Sequence, residues 1–265
     1  MNRFTILISL LTFGCGIWTA QGQSSSDYTL YRDRAGVDEW ENDPRFPQDT
    51  FRFVRLRPED HRDWYIDYPG SDLNFSFRLQ QMTSIRVDPD PIVVSILDPK
   101  LRECPFLYTL ETHTLNLLDE EIVVLRDHLL NGGFLMIDDF WGPSAWRHTH
   151  DELKRLFPDR PIRELSLDHP VFNIVFQIKE KPQVPGLGIG IESQFTGRTW
   201  THGGKDPNFY GIFDDAGRMM VIVCRNTDLG DGWECEGDDP YYFKEFSEKK
   251  AYPMGVNIIV YAMTH

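Results

Sequence analysis

Between residues 106 and 138 the chain reads as strand, helix, glycine pair, strand. No other feature constrains the fold as strongly. Phe106-Leu107-Tyr108-Thr109-Leu110 is a short apolar run of the kind that forms a strand buried on both faces. Residues 118–130 are amphipathic, with Asp119, Glu120 and Glu121 at the start and Arg126 later, the order that suits a helix dipole. Asn131-Gly132-Gly133 ends that helix by permitting positive φ, and Phe134-Leu135-Met136-Ile137-Asp138 follows at once as a second buried strand. Such a βαβ unit requires parallel strands joined by a right-handed crossover, which puts helices on the faces of the sheet.

The rest of the chain extends this plan. Phe51-Arg52-Phe53-Val54-Arg55-Leu56 alternates as a strand does, and residues 72–84 suit a helix with Ser71 or Asp72 as its cap. Ile92-Val93-Val94-Ser95-Ile96-Leu97 is another buried strand. It is expected to run beside residues 134–137 in the same direction. A helix is expected over 145–157 and a strand over 162–167. Residues 210–213 and 219–223, separated by Asp214-Asp215-Ala216-Gly217, read as a β-hairpin. Residues 230–240 read as an acidic, glycine-rich loop, Pro185-Gly186-Leu187-Gly188-Ile189-Gly190-Ile191 as a flexible strand or loop, and 252–263 as a last apolar helix. The predicted fold class is α/β: a flavodoxin-like, mostly parallel sheet flanked by helices, with a C-terminal hairpin-rich portion.

The first 22 residues read as a signal peptide. Arg3 precedes an apolar stretch from Phe4 to Trp18, and Ala20-Gln21-Gly22 supplies small residues at −3 and −1 of a cut before Gln23. The expected organisation is a signal peptide over 1–22, a polar flexible leader over 23–50, and one α/β domain over 51–265, exported to a periplasmic or secreted location. No later segment is long and apolar enough to span a bilayer. The net charge is −14, and one unit more negative without residues 1–22, so phosphate backbones and anionic lipid surfaces would repel the chain. Nucleic acid is therefore not an expected partner. In an exported chain Cys224 and Cys235 could bridge, leaving Cys104 as a buried small hydrophobe.

Several blocks in order carry a family resemblance. They are Trp64-Tyr65 with Asp67-Tyr68-Pro69, Leu129-Leu130-Asn131-Gly132-Gly133-Phe134-Leu135, Asp138-Asp139-Phe140-Trp141-Gly142, and Leu167-Asp168-His169-Pro170-Val171-Phe172. Asn226-Thr227-Asp228-Leu229-Gly230-Asp231-Gly232-Trp233-Glu234 and Tyr252-Pro253-Met254-Gly255-Val256-Asn257 complete the set. From Phe51 to His265 the chain resembles the bacterial family catalogued as domain of unknown function 4159, a resemblance that implies a domain extent rather than an activity. At fold level it is similar to the glutamine-amidotransferase-like and trehalose-utilisation-like α/β proteins. The amidotransferases carry their nucleophile on a Gly-x-Cys-x-Gly elbow, which this chain lacks, so the resemblance does not extend to glutaminase activity.

In open parallel sheets ligands bind at the carboxyl ends of the strands. Here those ends are polar: Asp98 after Leu97, Glu111-Thr112-His113 after Leu110, Asp138-Asp139 after Ile137, and Asp168-His169 after the strand around Leu165. Asp138, Asp139, Glu111, His113 and His169 are expected to line one ligand-binding cleft, with Trp141 as a wall. Clustered carboxylates either raise one another's pKa and act as an acid/base pair or, with a histidine, hold a hard or borderline cation. The plain alternative is that Asp138 caps the following segment and His169 satisfies its own turn. Asp228, Asp231 and Glu234 are a second, metal-binding candidate, their alternative being a turn with solvated acids.

His148 and His150, two apart on a helix, face different ways and do not suggest a shared metal. Trp64, Tyr65, Tyr68, Trp141, Trp146, Trp200 and Trp233 include faces on which a sugar could stack. Neither a phosphate loop, a GxGxxG turn nor a GxSxG elbow is present, and no cofactor is indicated. Three functions remain open: a non-catalytic module binding a small polar ligand or glycan, a carboxylate- or metal-dependent hydrolase acting on such a ligand, and a structural subunit meeting a protein partner in a cell-envelope assembly.

Overall fold

The computed structural model describes residues 34, 36–46 and 49–265. The signal peptide expected over 1–22 and the first part of the leader lie outside the described residues. Strands β1 (Val54–Arg57), β2 (Ile92–Ser95), β3 (Phe106–Leu110), β4 (Phe134–Asp138), β5 (Arg163–Glu164), β6 (Asn208–Phe213) and β7 (Met219–Arg225) form one sheet in the order β2-β1-β3-β4-β7-β6-β5. The first five in that order run parallel, while β6 lies antiparallel to both β7 and β5. The succession β2-β1-β3-β4 followed by a fifth parallel strand is the doubly wound arrangement, whose order reverses between β1 and β3. The α/β expectation therefore holds.

Two details of that expectation change. β2 and β4 run the same way but are not neighbours, because β1 and β3 stand between them. The hairpin of β6 and β7 is no appendage: β7 pairs with β4 through Leu135–Val221 to Ile137–Val223 and is a central strand. Strand alternation explains why both faces need cover. Phe106, Tyr108, Phe134, Met136, Ile222 and Cys224 point into one apolar core, and Leu107, Leu135, Ile137, Val221 and Val223 into the other. Helices α2 (Asp119–Leu130) and α3 (Gly142–Leu156) bury Ile122, Leu125, Leu129, Leu153 and Leu156 in the second core. Helices α1 (Gly70–Met82), α5 (Leu229–Glu234) and α7 (Tyr252–Thr264) cover the first core with Phe75, Leu79, Trp233, Met254 and Ile258.

Helix α4 (Leu187–Thr196) occupies the segment expected as a flexible strand or loop, and α5 lies in the acidic stretch expected as a loop. Both helices contain glycines for a packing reason. A Cβ at Gly190 would lie 2.4 Å from the Tyr242 ring, and one at Gly232 would lie 2.4 Å from Ala251 Cβ. Tyr242 belongs to the short helix α6 (Pro240–Tyr242), which continues through a π-helical stretch, Phe243–Ala251, into α7.

β5 is only two residues long, shorter than the strand expected over 162–167. All three described cysteines are free and buried, so the Cys224–Cys235 bridge is absent and Cys104 is a buried thiol, as expected. Part of the expected leader packs on the domain: Trp40 donates its Nε1–H to the Val87 carbonyl at 2.7 Å, and Arg34 pairs with Asp90 at 2.6 Å. Among the described residues no helix is long and apolar enough to cross a membrane.

Candidate functional site

The carboxyl ends of β1, β3, β4 and β7 converge on a group of acids. Because side chains alternate along a strand, Asp138 at the end of β4 shares the face of Phe134 and Met136, under α5. It is fully buried. Its Oδ2 accepts the Gly230 N–H at 3.0 Å and the Tyr108 hydroxyl at 3.3 Å, whereas its Oδ1 has no donor. Burial pushes the Asp138 carboxyl up to about 7, against the backbone N–H groups that favour its charged form.

Gly230 permits this approach. A Cβ there would sit 2.7 Å from both Asp67 Oδ2 and the Tyr108 hydroxyl, and 3.5 Å from Asp228 Oδ1. Asp67 follows β1, and its Oδ2 is also buried without a donor. Burial first, then Asp231 and Glu234, push Asp67 up to about 8, while Arg55 pulls the other way. Asp228 caps α5 by accepting the Asp231 N–H at 2.7 Å. Asp231 in turn accepts the Leu187 N–H at 2.8 Å at the head of α4. Burial raises Asp228 well above the carboxylate range, with Asp139 and Asp231 adding to it, and Asp231 and Glu234 are raised for the same first cause. Asp67, Asp228 and Asp231 each offer an oxygen within 4.8 Å of the others. So do Asp231 and Glu234, together with the Cys235 thiol.

On the other side of Asp138 lie Asp139 and Glu111. The Glu111 N–H donates to the Asp139 carbonyl at 3.1 Å, which brings the two carboxyls close enough for the charge of Glu111 to act on Asp139. Trp141 donates its Nε1–H to Asp139 Oδ1 at 3.0 Å, and His113 Nδ1 lies 2.7 Å from Glu111 Oε2. Burial, then Glu111, Asp67 and Asp138, hold Asp139 well above its ordinary pKa, and burial also raises Glu111 despite His113. Asp67, Glu111 and Asp139 all adopt positive φ, at 62°, 50° and 45°. Left-handed backbone at non-glycine residues is sparsely populated and concentrates at functional sites.

Arg55 on β1 fixes the loop that carries Asp67. It is fully buried, pairs with Asp72, and donates to the Ser71 hydroxyl at 2.9 Å and to the Ile66 and Trp64 carbonyls at 2.6 and 3.1 Å. Asn226, just beyond β7, accepts the Gly142 N–H at 2.9 Å and donates to the Asp206 carbonyl at 2.7 Å, joining the loop after β4 to the one before β6.

Of the residues singled out by sequence, Asp138, Asp139, Glu111, His113 and Trp141 come together, and Asp228, Asp231 and Glu234 join them from α5 rather than from a loop. His169 does not. Its ring packs on Phe213 and Tyr261, at 6.0 and 5.3 Å between centroids, and accepts the Val171 N–H. Phe213 pairs with Met219 at the start of β7, so His169 sits at the amino end of that strand, roughly 20 Å along it from the acids. The polar segment after β5 turns back along the sheet instead of ending with the other strand tips. His148 is occupied with the Leu115 carbonyl, and Trp146 stacks on Tyr210 at 4.4 Å, while Trp233 is wholly in the core.

The chain matches the family model described as "Domain of unknown function (DUF4159)" over residues 52–263, nearly all of the described domain. The chain belongs to the DUF4159 family. No curated protein matches it. Within this DUF4159 domain, Asp67 and Arg55 are the residues of the acidic site that sequence reasoning missed. Arg55 had a detectable signal: its strand alternates, but a parallel sheet carries helices on both faces, so an arginine in mid-strand needs partners.

Proposed function

We propose that the domain is a binding module for a small polar ligand rich in hydrogen-bond donors or positive charge, held over the acids at the carboxyl ends of β1, β3, β4 and β7. The observation that carries this reading is the convergence of Asp67, Glu111, Asp138, Asp139, Asp228 and Asp231 with two buried carboxylate oxygens left unpaired. An ionised carboxylate can only accept hydrogen bonds, so such a site suits amines, cations or hydroxyl-rich molecules. Trp141 is half-buried beside Asp139, and Tyr65, on the loop that carries Asp67, is exposed, which favours a hydroxyl-rich ligand with a face to stack.

Calorimetric titration of the full chain with glucosamine, inositol and spermidine tests the reading. Binding of at least one, lost in Glu111→Gln and Asp139→Asn, supports it. Silence toward all three at millimolar concentration, or binding indifferent to both substitutions, sinks it.

A second reading, a hydrolase acting on a glycan, draws support from the Glu111–Asp139 pair, because neighbouring carboxyls of which one is pushed up by burial and by the other's charge are equipped for acid/base work. Turnover of aryl glycosides that disappears in Glu111→Gln would select it over simple binding. Export is proposed from residues 1–22 alone, and a mature chain starting elsewhere than Gln23 would contradict the cleavage site.

A further inference from the structure

The acids at the end of the sheet fall into two halves with different chemistry. Glu111 pairs with His113, and Asp139 accepts the Trp141 N–H. The half under α5 leaves Asp67 Oδ2 and Asp138 Oδ1 without a donor. We propose that Asp67, Asp228 and Asp231, with Asp138 behind them, bind a hard divalent cation of the calcium, magnesium or manganese class. This deepens the proposed function and rests on reading this end of the sheet as the ligand site.

Three observations converge. The first is the oxygen set: one atom from each of three aspartates within 4.8 Å of the others, drawn from the loop after β1 and from the start of α5. All-carboxylate oxygen sets suit hard cations, and the span matches oxygens gathered around one ion at about 2.1–2.6 Å each. The second is independent of the cluster. Asp138, with no solvent exposure, leaves its Oδ1 unpartnered. Its other oxygen is tied to the N–H of Gly230, the residue against which Asp67 Oδ2 and Asp228 Oδ1 pack, so the carboxyl borders that group. A buried polar atom without a partner is rare and calls for an unseen one. The third is orientation. The Asp231 N–H holds Asp228 and the Leu187 N–H holds Asp231, the kind of outer-shell bonding that aims metal ligands.

Arg55 cannot neutralise the group. It bears on Asp67, but its guanidinium is committed to Asp72, Ser71 and two backbone carbonyls. An ion would tie the Asp67 loop to α5, which already approach one another at Gly230.

A neighbouring thiol supplies the competing outcome. Asp231, Glu234 and Cys235 could take a softer ion such as zinc, a set that shares only Asp231 with the one proposed. The two differ in their response to substitution. Asp228→Asn keeps a good N-cap for α5, and Asp67→Asn places at φ 62° a residue that tolerates positive φ, so both variants are built to fold.

The experiment titrates EDTA-treated full chain with calcium, magnesium, manganese and zinc chlorides by calorimetry, and reads thermal unfolding with and without each ion. The expected result is one site per chain for at least one of calcium, magnesium and manganese, with Tm raised on binding. Asp67→Asn and Asp228→Asn each weaken it at least about tenfold, since ligand charge count tunes such sites over decades, and Cys235→Ser leaves it unchanged. The proposal is overturned if none of the three ions binds, if both aspartate variants bind as the parent does, or if zinc alone binds and Cys235→Ser removes it. A chain that binds glucosamine, inositol or spermidine but none of the hard cations loses this inference and keeps the broader reading; one that binds neither loses both.

Discussion

Replacing Asp138 by Asn should flatten the pH dependence of stability between about pH 4 and pH 7. Burial moves this carboxyl from 3.8 to about 7 in the folded protein. Because the folded value is the higher one, the group costs nothing below about pH 4, where both states hold the proton. As the pH rises further, the unfolded chain ionises first and gains free energy the folded chain does not. The cost grows until the folded carboxyl also ionises near pH 7, and is constant above that. At about 1.36 kcal/mol per pH unit, the gap between the two values is worth roughly 4 kcal/mol.

Neighbouring acids spread the titration, so about half of that figure is a safe lower bound for the measured difference. Asn keeps an oxygen to accept the Gly230 N–H, and any loss at the Tyr108 hydroxyl shifts stability equally at every pH. The diagnostic quantity is therefore the change in slope. Urea unfolding in EDTA at intervals from pH 4.5 to 8 reads it, with m-values checked for constancy. If parent and variant give parallel curves with a fixed offset, Asp138 ionises in the folded state as an ordinary carboxylate, and the argument from its burial fails.

Two further outcomes are expected. Arg55→Met removes the partner of a fully buried Asp72 and should destabilise by about 3–5 kcal/mol, the cost of orphaning a buried charge, measured by chemical denaturation. A loss near zero would mean that Asp72 reaches water in the variant. Cys104, Cys224 and Cys235 should all resist alkylation by iodoacetamide until the protein is unfolded, and a reductant should leave Tm unchanged. A mass deficit of two hydrogen atoms in a peptide linking Cys224 and Cys235 would contradict the free thiols.

What could be read from sequence depended on whether the information was local. β4 spans residues 134–138, as its apolar run between Gly133 and Asp139 indicated, and α2 begins within one residue of its predicted start. Strand order is not local. Nothing in Ile92–Ser95 indicates that β1, earlier in the chain, intervenes between it and β3. Glycine misled the reading of α4 and α5, because in both the missing side chain serves close packing rather than a turn: Tyr242 fills the space at Gly190 and Ala251 that at Gly232. His169 was expected with the acids on the assumption that every strand end faces one way. The segment after β5 instead runs back to Phe213 and Tyr261. Asp67 gave no signal of its own, since its place depends on the Arg55 contacts to Ile66 and Trp64 twelve or fewer residues away.

The same face of the sheet shows two ways of holding buried charge. Arg55 and Asp72 are fully buried, yet the guanidinium meets a carboxylate, a hydroxyl and two carbonyls, which is what a charge needs if its role is to hold a loop in place. Asp138, two strands over on β4, and Asp67, on the loop that Arg55 holds, have an unpaired oxygen each, surrounded by further acids that raise one another's pKa. A fold able to neutralise Asp72 so completely has not done so for these, and it also carries left-handed backbone at Asp67, Glu111 and Asp139. Violations of polar pairing and of backbone preference tend to coincide where structure has been traded for function. That coincidence weighs against a purely structural subunit, for which a balanced set like Arg55 and Asp72 would suffice, and in favour of a partner that brings positive charge or hydrogen-bond donors to the end of the sheet.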